Sequence, residues 1–159
     1  MVDSTTSTSY TRTGLTNGTA YIFNVSAANS TGESVLSINY KIIPRHSGPW
    51  YVAASGGKDL DEAKTNVNYG SQDSPIDYLS TALDIAVNGD TIIMMKGTHS
   101  EKYNRDIKFD EKISLVISGD IGYPADQTII DAEGRGRHFT FDKAVDSTFV
   151  IQHITLYNG

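Results

Sequence analysis

The sequence predicts a mostly β chain: partial sandwich-type strands, then a coil of short parallel strands that one α-helix closes at its start. Three observations carry this. Residues 20–43 hold two runs in which apolar and polar residues alternate. Residues 74–89 hold the one clear helical periodicity. From residue 91 onward, short apolar runs recur between turns rich in Gly, Asp and Asn.

Residues 3–19 are rich in Ser, Thr, Asn and Gly, which reads as strand edges and turns. In 20–28, Tyr21, Phe23, Val25 and Ala27 face one way, and Ile22, Asn24 and Ser26 the other. That is a half-buried strand. After the turn 29–34, residues 35–43 set Leu36, Ile38, Tyr40 and Ile42 against Val35, Ser37, Asn39 and Lys41. The stretch "PRHSGPW" carries two prolines and a glycine, so a linker is expected at 44–49. It divides a first segment, 1–43, from a second, 50–159.

In the second segment, residues 50–55 are β-prone and 56–73 are polar and turn-rich. Ser74 is the expected N-cap, and Pro75 fits the first helical position. Ile76, Leu79, Ala82, Leu83, Ala86 and Val87 share one helical face, and Asn88-Gly89 ends it. The run 91–95 is continuously apolar, as in a strand buried on both faces. In 112–118, Ile113, Leu115 and Ile117 point to one side. Strands are expected at 128–131, 138–141 and 149–156. Ile92 to Leu115 is 23 residues and Leu115 to Phe139 is 24. One turn of a parallel β coil takes roughly 20–30 residues, so these intervals suit stacked coils.

Composition removes several functions. The chain has 159 residues, a net charge of −6 and no cysteine. Disulfides, zinc-thiolate sites and thiol nucleophiles are therefore excluded. No basic run is long enough to neutralise a phosphate backbone, so nucleic acid is not expected as a partner. An anionic membrane surface is disfavoured for the same reason. No apolar stretch reaches the ~18 residues that a spanning helix needs. The first ten residues lack the order of a signal peptide.

Residues 9–43, with "SYTRTGLTNGTAYIFNVSAANSTGES", resemble the C-terminal half of a fibronectin type III domain. Leu15 and Tyr21 look like its tyrosine corner, which implies a tyrosine hydroxyl bonded to backbone upstream. Strands A to D of that family have no counterpart here. Residues 50–159 resemble the N-terminal part of a right-handed parallel β-helix of the pectin-lyase-like superfold. The stretches that carry this are "WYVAASGG", "SPIDYLSTALDIAVNGDTIIM", "GTHSEKY" as a turn, "ISLVISGDIGYPADQTIIDAEGRGRHFTF" and "DSTFVIQHITLYNG". His153 and Ala132 stand where the pattern commonly has glycine. The resemblance implies a fold whose N-terminal helix covers the exposed sheet edge. The chain is expected to be a fragment, interrupted at both ends.

Candidate chemistry is sparse. Asp59, Asp61, Glu62 and Asp73 lie in one loop, where a cation such as Ca²⁺ would find oxygens, but the spacing matches no EF-hand. A solvated acidic loop is the stronger reading, and no cofactor is otherwise expected. His46, His99, His138 and His153 form no H-E-x-x-H pattern and gather only if coils align them. Asp131, Asp142 and Asp146 lie near turns, with Arg135 and Arg137 close to Asp131. Lyases of the resembled fold bind Ca²⁺ with stacked carboxylates and add an Arg or Lys to abstract a proton, and its hydrolases use paired Asp or Glu, but "EGRGR" reads better as a solvated turn. No residue is assigned a catalytic role. Asn17, Asn24 and Asn29 begin N-x-[ST] triplets, which composition alone explains.

The expected function is a non-catalytic structural or adhesive module of a large extracellular or cell-surface protein. Polysaccharide or surface proteins are the partners this implies. The alternative is the N-terminal part of a pectin-lyase-like polysaccharide lyase or glycoside hydrolase.

Overall fold

The computed structural model of the chain describes residues 3–16, 19–44, 48–63, 68–109, 114–142 and 148–159, and the side chains of 62 and 63 are not described. The protein is mostly β, with sheets of parallel strands and one two-turn helix.

In the first segment, β1 (Tyr21–Phe23) pairs antiparallel with β4 (Tyr40–Ile42), and β2 (Ala28–Asn29) with β3 (Gly32–Glu33). The expected strands 20–28 and 35–43 are thus shorter than their alternation suggests. Ser37 breaks the ladder, because its hydroxyl rather than its carbonyl accepts from the Val25 N–H, at 3.0 Å. Asn29 Oδ1 closes the β2–β3 turn by accepting from the N–H groups of Thr31 and Gly32. Thr16 N–H donates to the Tyr21 hydroxyl at 3.0 Å. Apolar side chains here stay in solvent, with Val35 90% and Ile38 73% exposed. Of the linker expected at 44–49, residues 45–47 lie outside the described ones.

In the second segment, β5 (Trp50–Val52) is followed by one helical turn, α1 (Leu60–Ala63), and by α2 (Leu79–Ile85). Then come β6 (Thr91–Met94), β7 (Gly97–His99), β8 (Ile107–Phe109), β9 (Val116–Gly119), β10 (Thr128–Asp131), β11 (Phe139–Phe141), β12 (Val150–Gln152) and β13 (Thr155–Tyr157). All their pairings are parallel. The first sheet runs β5-β6-β9-β12, the second β7-β10-β13 and the third β8-β11. From β6 on, the chain visits first, second and third sheet in the same order, then repeats.

Register stacks like side chains between the sheets. Trp50, Ile92, Ile117 and Ile151 are aligned in the first sheet. His99, Ile130 and Leu156 are aligned in the second. Phe109 and Phe141 stack in the third with centroids 5.1 Å apart, and Phe149 meets Phe109 edge-on. Each fully buried Ile or Leu in this core contributes roughly 1.5–3 kcal/mol. Leu79 and Ala82 bring the inner face of α2 into the same core beside Trp50 and Val52.

Several expectations need correction. Helix α2 begins at Leu79, not at Ser74 or Pro75. Ile76 instead lies alongside Val52 and Lys58, with its N–H donating to the Tyr51 carbonyl at 2.8 Å. Backbone that serves a sheet in this way cannot also enter a helix. The run 91–95 is not buried on both faces: Ile92 and Met94 point inward, while Thr91 and Ile93 are half-buried. "GTHSEKY" is not all turn, since β7 occupies Gly97–His99. The run 149–156 is two strands, because His153 takes φ 56° and turns the corner. Residues aligned in neighbouring parallel strands are also further apart than the even spacing suggests. Ile92 aligns with Ile117, and Phe139 with Ile107 rather than Leu115. Ile113 lies outside the described residues.

Candidate functional site

The residues expected to carry chemistry are mostly spent on local structure. Asp59 Oδ1 accepts from the Asp61 N–H at 2.9 Å, a local turn bond. Asp73 is exposed on the neighbouring turn, and the Glu62 side chain is not described. Among the described residues, no group of three or more His, Asp or Glu is arranged to hold a metal ion.

The histidines are dispersed. His46 lies outside the described residues. His99 is fully buried in β7, and its Nε2–H donates to the Met95 carbonyl at 2.9 Å. That bond assigns the tautomer and leaves Nδ1 buried, with no partner among the described residues. Burial pushes its pKa below 6.5, against the raising influence of the Met95 carbonyl. His138 Nε2–H is shared between the carbonyls of Ile130, at 3.0 Å, and Tyr157, at 2.9 Å. It therefore ties β10 to β13. His153 forms the corner between β12 and β13, in the left-handed conformation that favours glycine.

Asp131 ends β10, and Arg135 lies in the turn that follows it without a hydrogen bond or ion pair to it. Asp131 Oδ1 accepts from the Glu133 N–H at 2.8 Å and from Asn158 Nδ2 at 3.1 Å. Glu133, at φ 55°, pairs with Arg105 at 2.5 Å and faces Arg135 at 3.7 Å. Ala132 is buried, so Glu133 and Gly134 take the left-handed positions that the glycine pattern implied for Ala132. Arg137 contributes its backbone N–H to Asp106 Oδ1. Asp142 pairs with Lys108 at 2.6 Å, and Asp146 lies outside the described residues. Asn24 sits just past β1 with its side chain held by Ser37 and Asn39. Asn29 is used by its turn, and Asn17 is not described.

A different surface holds more open chemistry. A groove of about 500 Å³ lies on the outer face of α2 and is lined by Asp77, Tyr78, Ser80, Thr81, Asp84 and Tyr103. The groove is shallow and open to solvent. Its origin is the amphipathicity of α2. Leu79 and Ala82 turn inward, so Ser80, Thr81 and Asp84 turn outward with Asp77 before them. The opposite wall comes from the 3₁₀ turn Lys102–Asn104. Buried Asn104 fastens this turn to the helix by accepting from the Leu79 N–H at 2.8 Å. Tyr103 consequently sits against Tyr78, with ring centroids 4.9 Å apart and planes tilted by 41°. Lys102 Nζ lies 4.6 Å from the centroid of the Tyr103 ring.

Sequence reading missed this groove. The polar stripe at 77, 80, 81 and 84 was legible as the outer helical face. Tyr103 carried no local signal, since only the folding back of residues 102–104 brings it to Tyr78. Compared with family models, with curated proteins and with solved structures, the chain matches none. No described helix is long and apolar enough to cross a membrane.

Proposed function

We propose that this chain is a non-catalytic structural or adhesive module that binds polysaccharide, belonging to a large extracellular or cell-surface protein. The observation that carries the proposal is the groove in which Tyr78 and Tyr103 stand beside Asp77, Ser80, Thr81 and Asp84. Sugars offer apolar C–H faces and fixed hydroxyls. Phenol rings shed water readily against the first, while carboxylates and hydroxyls bond the second. The architecture proposed for residues 50–159 is a right-handed parallel β-helix. It is supported by the repeated order of the parallel sheets and by the hand that parallel crossovers take. The Thr16–Tyr21 bond supports a fibronectin type III-like corner in residues 1–43.

The test is binding of the chain to a glycan array, repeated with Tyr103→Ala, alongside an assay for new reducing ends or unsaturated products. Binding that the substitution removes, without cleavage, supports the proposal. Absence of glycan binding overturns it. Reproducible depolymerisation favours the second reading, a lyase or glycosidase, which the parallel coil also supports by analogy of fold.

A further inference from the structure

The groove has a definite electrostatic character. Its lining contributes the carboxyl groups of Asp77 and Asp84 and includes no Arg or Lys. The chain as a whole carries a net charge of −6. A polymer of uronic acids would bring its carboxylates against those of Asp77 and Asp84, with the exposed Lys102 at the edge of the groove as the cation to offset them. A neutral sugar would leave the two carboxylates to hydroxyl partners alone. A protonated sugar amine would meet both a carboxylate and an aromatic face.

The structure contains an internal stand-in for such a group. Lys102 Nζ lies over the Tyr103 ring at 4.6 Å, so an ammonium already occupies that face. Lys102 is exposed and its four-carbon stem is flexible, so it can yield the ring to a competitor at little cost. Ring quadrupoles attract ammonium groups whatever their source. Carboxylate oxygens make charge-assisted bonds to ammonium that an N-acetyl amide cannot match.

Resting on the glycan reading above, we infer that the groove selects polysaccharide with free amino groups, of the glucosamine type, over N-acetylated or uronate polymers. Asp84 pairs with the ammonium, Asp77 is held by the Tyr78 N–H at 2.7 Å and adds negative charge nearby, Tyr103 and Tyr78 receive the sugar ring and its cation, and Lys102 competes for Tyr103 until ligand arrives.

The experiment is calorimetric titration of the 159-residue chain with four probes: a glucosamine hexamer, an N-acetylglucosamine hexamer, a galacturonate hexamer and spermine. The pH is held where the sugar amine is protonated and the carboxylates are ionised. The glucosamine hexamer is expected to bind about ten-fold more tightly than its N-acetylated counterpart, and less tightly as salt is raised. Asp84→Asn and Tyr103→Ala each weaken it about five- to ten-fold. Lys102→Gln strengthens it about three-fold by removing the competitor. These positions are exposed, and unchanged circular dichroism and melting temperature certify the variants. Equal or tighter binding of the N-acetylated or galacturonate hexamer overturns the amine preference and leaves glycan binding standing. Spermine bound as tightly as the glucosamine hexamer overturns the requirement for a sugar. Binding of none of the three hexamers overturns both this inference and the reading beneath it.

Discussion

The backbone N–H of Leu79 donates to Oδ1 of Asn104 at 2.8 Å, joining residues 25 positions apart. The bond does two jobs. It satisfies a buried donor at the start of α2, where Tyr78 at the N-cap supplies no side-chain acceptor. It also fixes the turn that holds Tyr103 against Tyr78. Asn104→Ala leaves that N–H unpaired and is expected to cost about 1–3 kcal/mol. At this chain length that lowers the melting temperature by roughly 2–4 °C per kcal/mol. Any glycan binding at the groove should fall with it. Asn104→Asp keeps an acceptor oxygen and should recover most of the loss. An unchanged melting temperature for the alanine variant would show that the bond does not matter.

His99 sets a pH dependence whose sign follows from burial. Its folded pKa is lowered from 6.5, chiefly by desolvation. The unfolded chain therefore binds the proton more readily than the folded one. The stability is full above pH 6.5 and is lost as pH falls from there through the folded pKa. Thermal unfolding followed from pH 8 to pH 5 should show melting temperature dropping on the acid side of this window. His99→Leu should flatten that part of the profile, whatever its effect on baseline stability. A slope that survives the substitution would assign it to another group.

The corner between β12 and β13 packs against β9 with no room to spare. A Cβ added at Gly119 would collide with the carbonyl oxygen of His153. Gly119→Ala is expected to destabilise by about 1–3 kcal/mol or more, through backbone displacement in the first sheet. His153 itself holds φ 56°, where an L-residue is strained by roughly 1 kcal/mol. His153→Gly should be neutral to mildly stabilising, since relief of strain offsets the extra freedom of the unfolded chain. Chemical denaturation of both variants checks the pair, and a Gly119→Ala protein as stable as the parent would contradict the packing described.

Protection should differ between the two segments. Among the described residues of 1–43 the strand pairing is two short antiparallel ladders, and Ile22, Val35, Leu36 and Ile38 remain exposed. In the parallel sheets, β6, β9 and β10 are each paired on both edges and carry buried Ile92, Ile117 and Ile130. Local opening is cheapest where few apolar contacts are broken. Hydrogen exchange should be fast across Tyr21–Ile42 and slowest in β6, β9 and β10. Tyr21→Phe, which deletes the acceptor for the Thr16 N–H, should quicken exchange at Thr16 without touching the parallel sheets. Uniform protection over the whole chain is the result that this account forbids.

Much of the parallel-sheet segment was legible because inward positions repeat locally. Ile92, Ile117 and Ile130 announce themselves as apolar residues in short β-prone runs between turns. The helical stretch was legible in kind but not in extent, since Ile76 fits its apolar face as well as Leu79 does. What removed 74–78 from the helix was a competing backbone partner, Tyr51, distant in sequence. The acidic and basic residues of 133–137 were visible as a turn, and a turn follows β10 there. The groove was half visible, as the polar face of α2, and its other half was silent.

The sequence by itself determined the strand-rich class, the inward side of Leu115 and Ile117 and the presence of the amphipathic helix, because these follow from the period of neighbouring side chains. Tertiary structure alone decided which strand positions align, where 149–156 breaks, and which turn folds back to make a groove with α2. Those choices depend on hydrogen bonds and contacts between residues 25 or more positions apart, such as Leu79 with Asn104 and Ile92 with Ile117. No local pattern encodes such a distance, since it is set by how much chain each turn consumes before the next strand returns to its sheet.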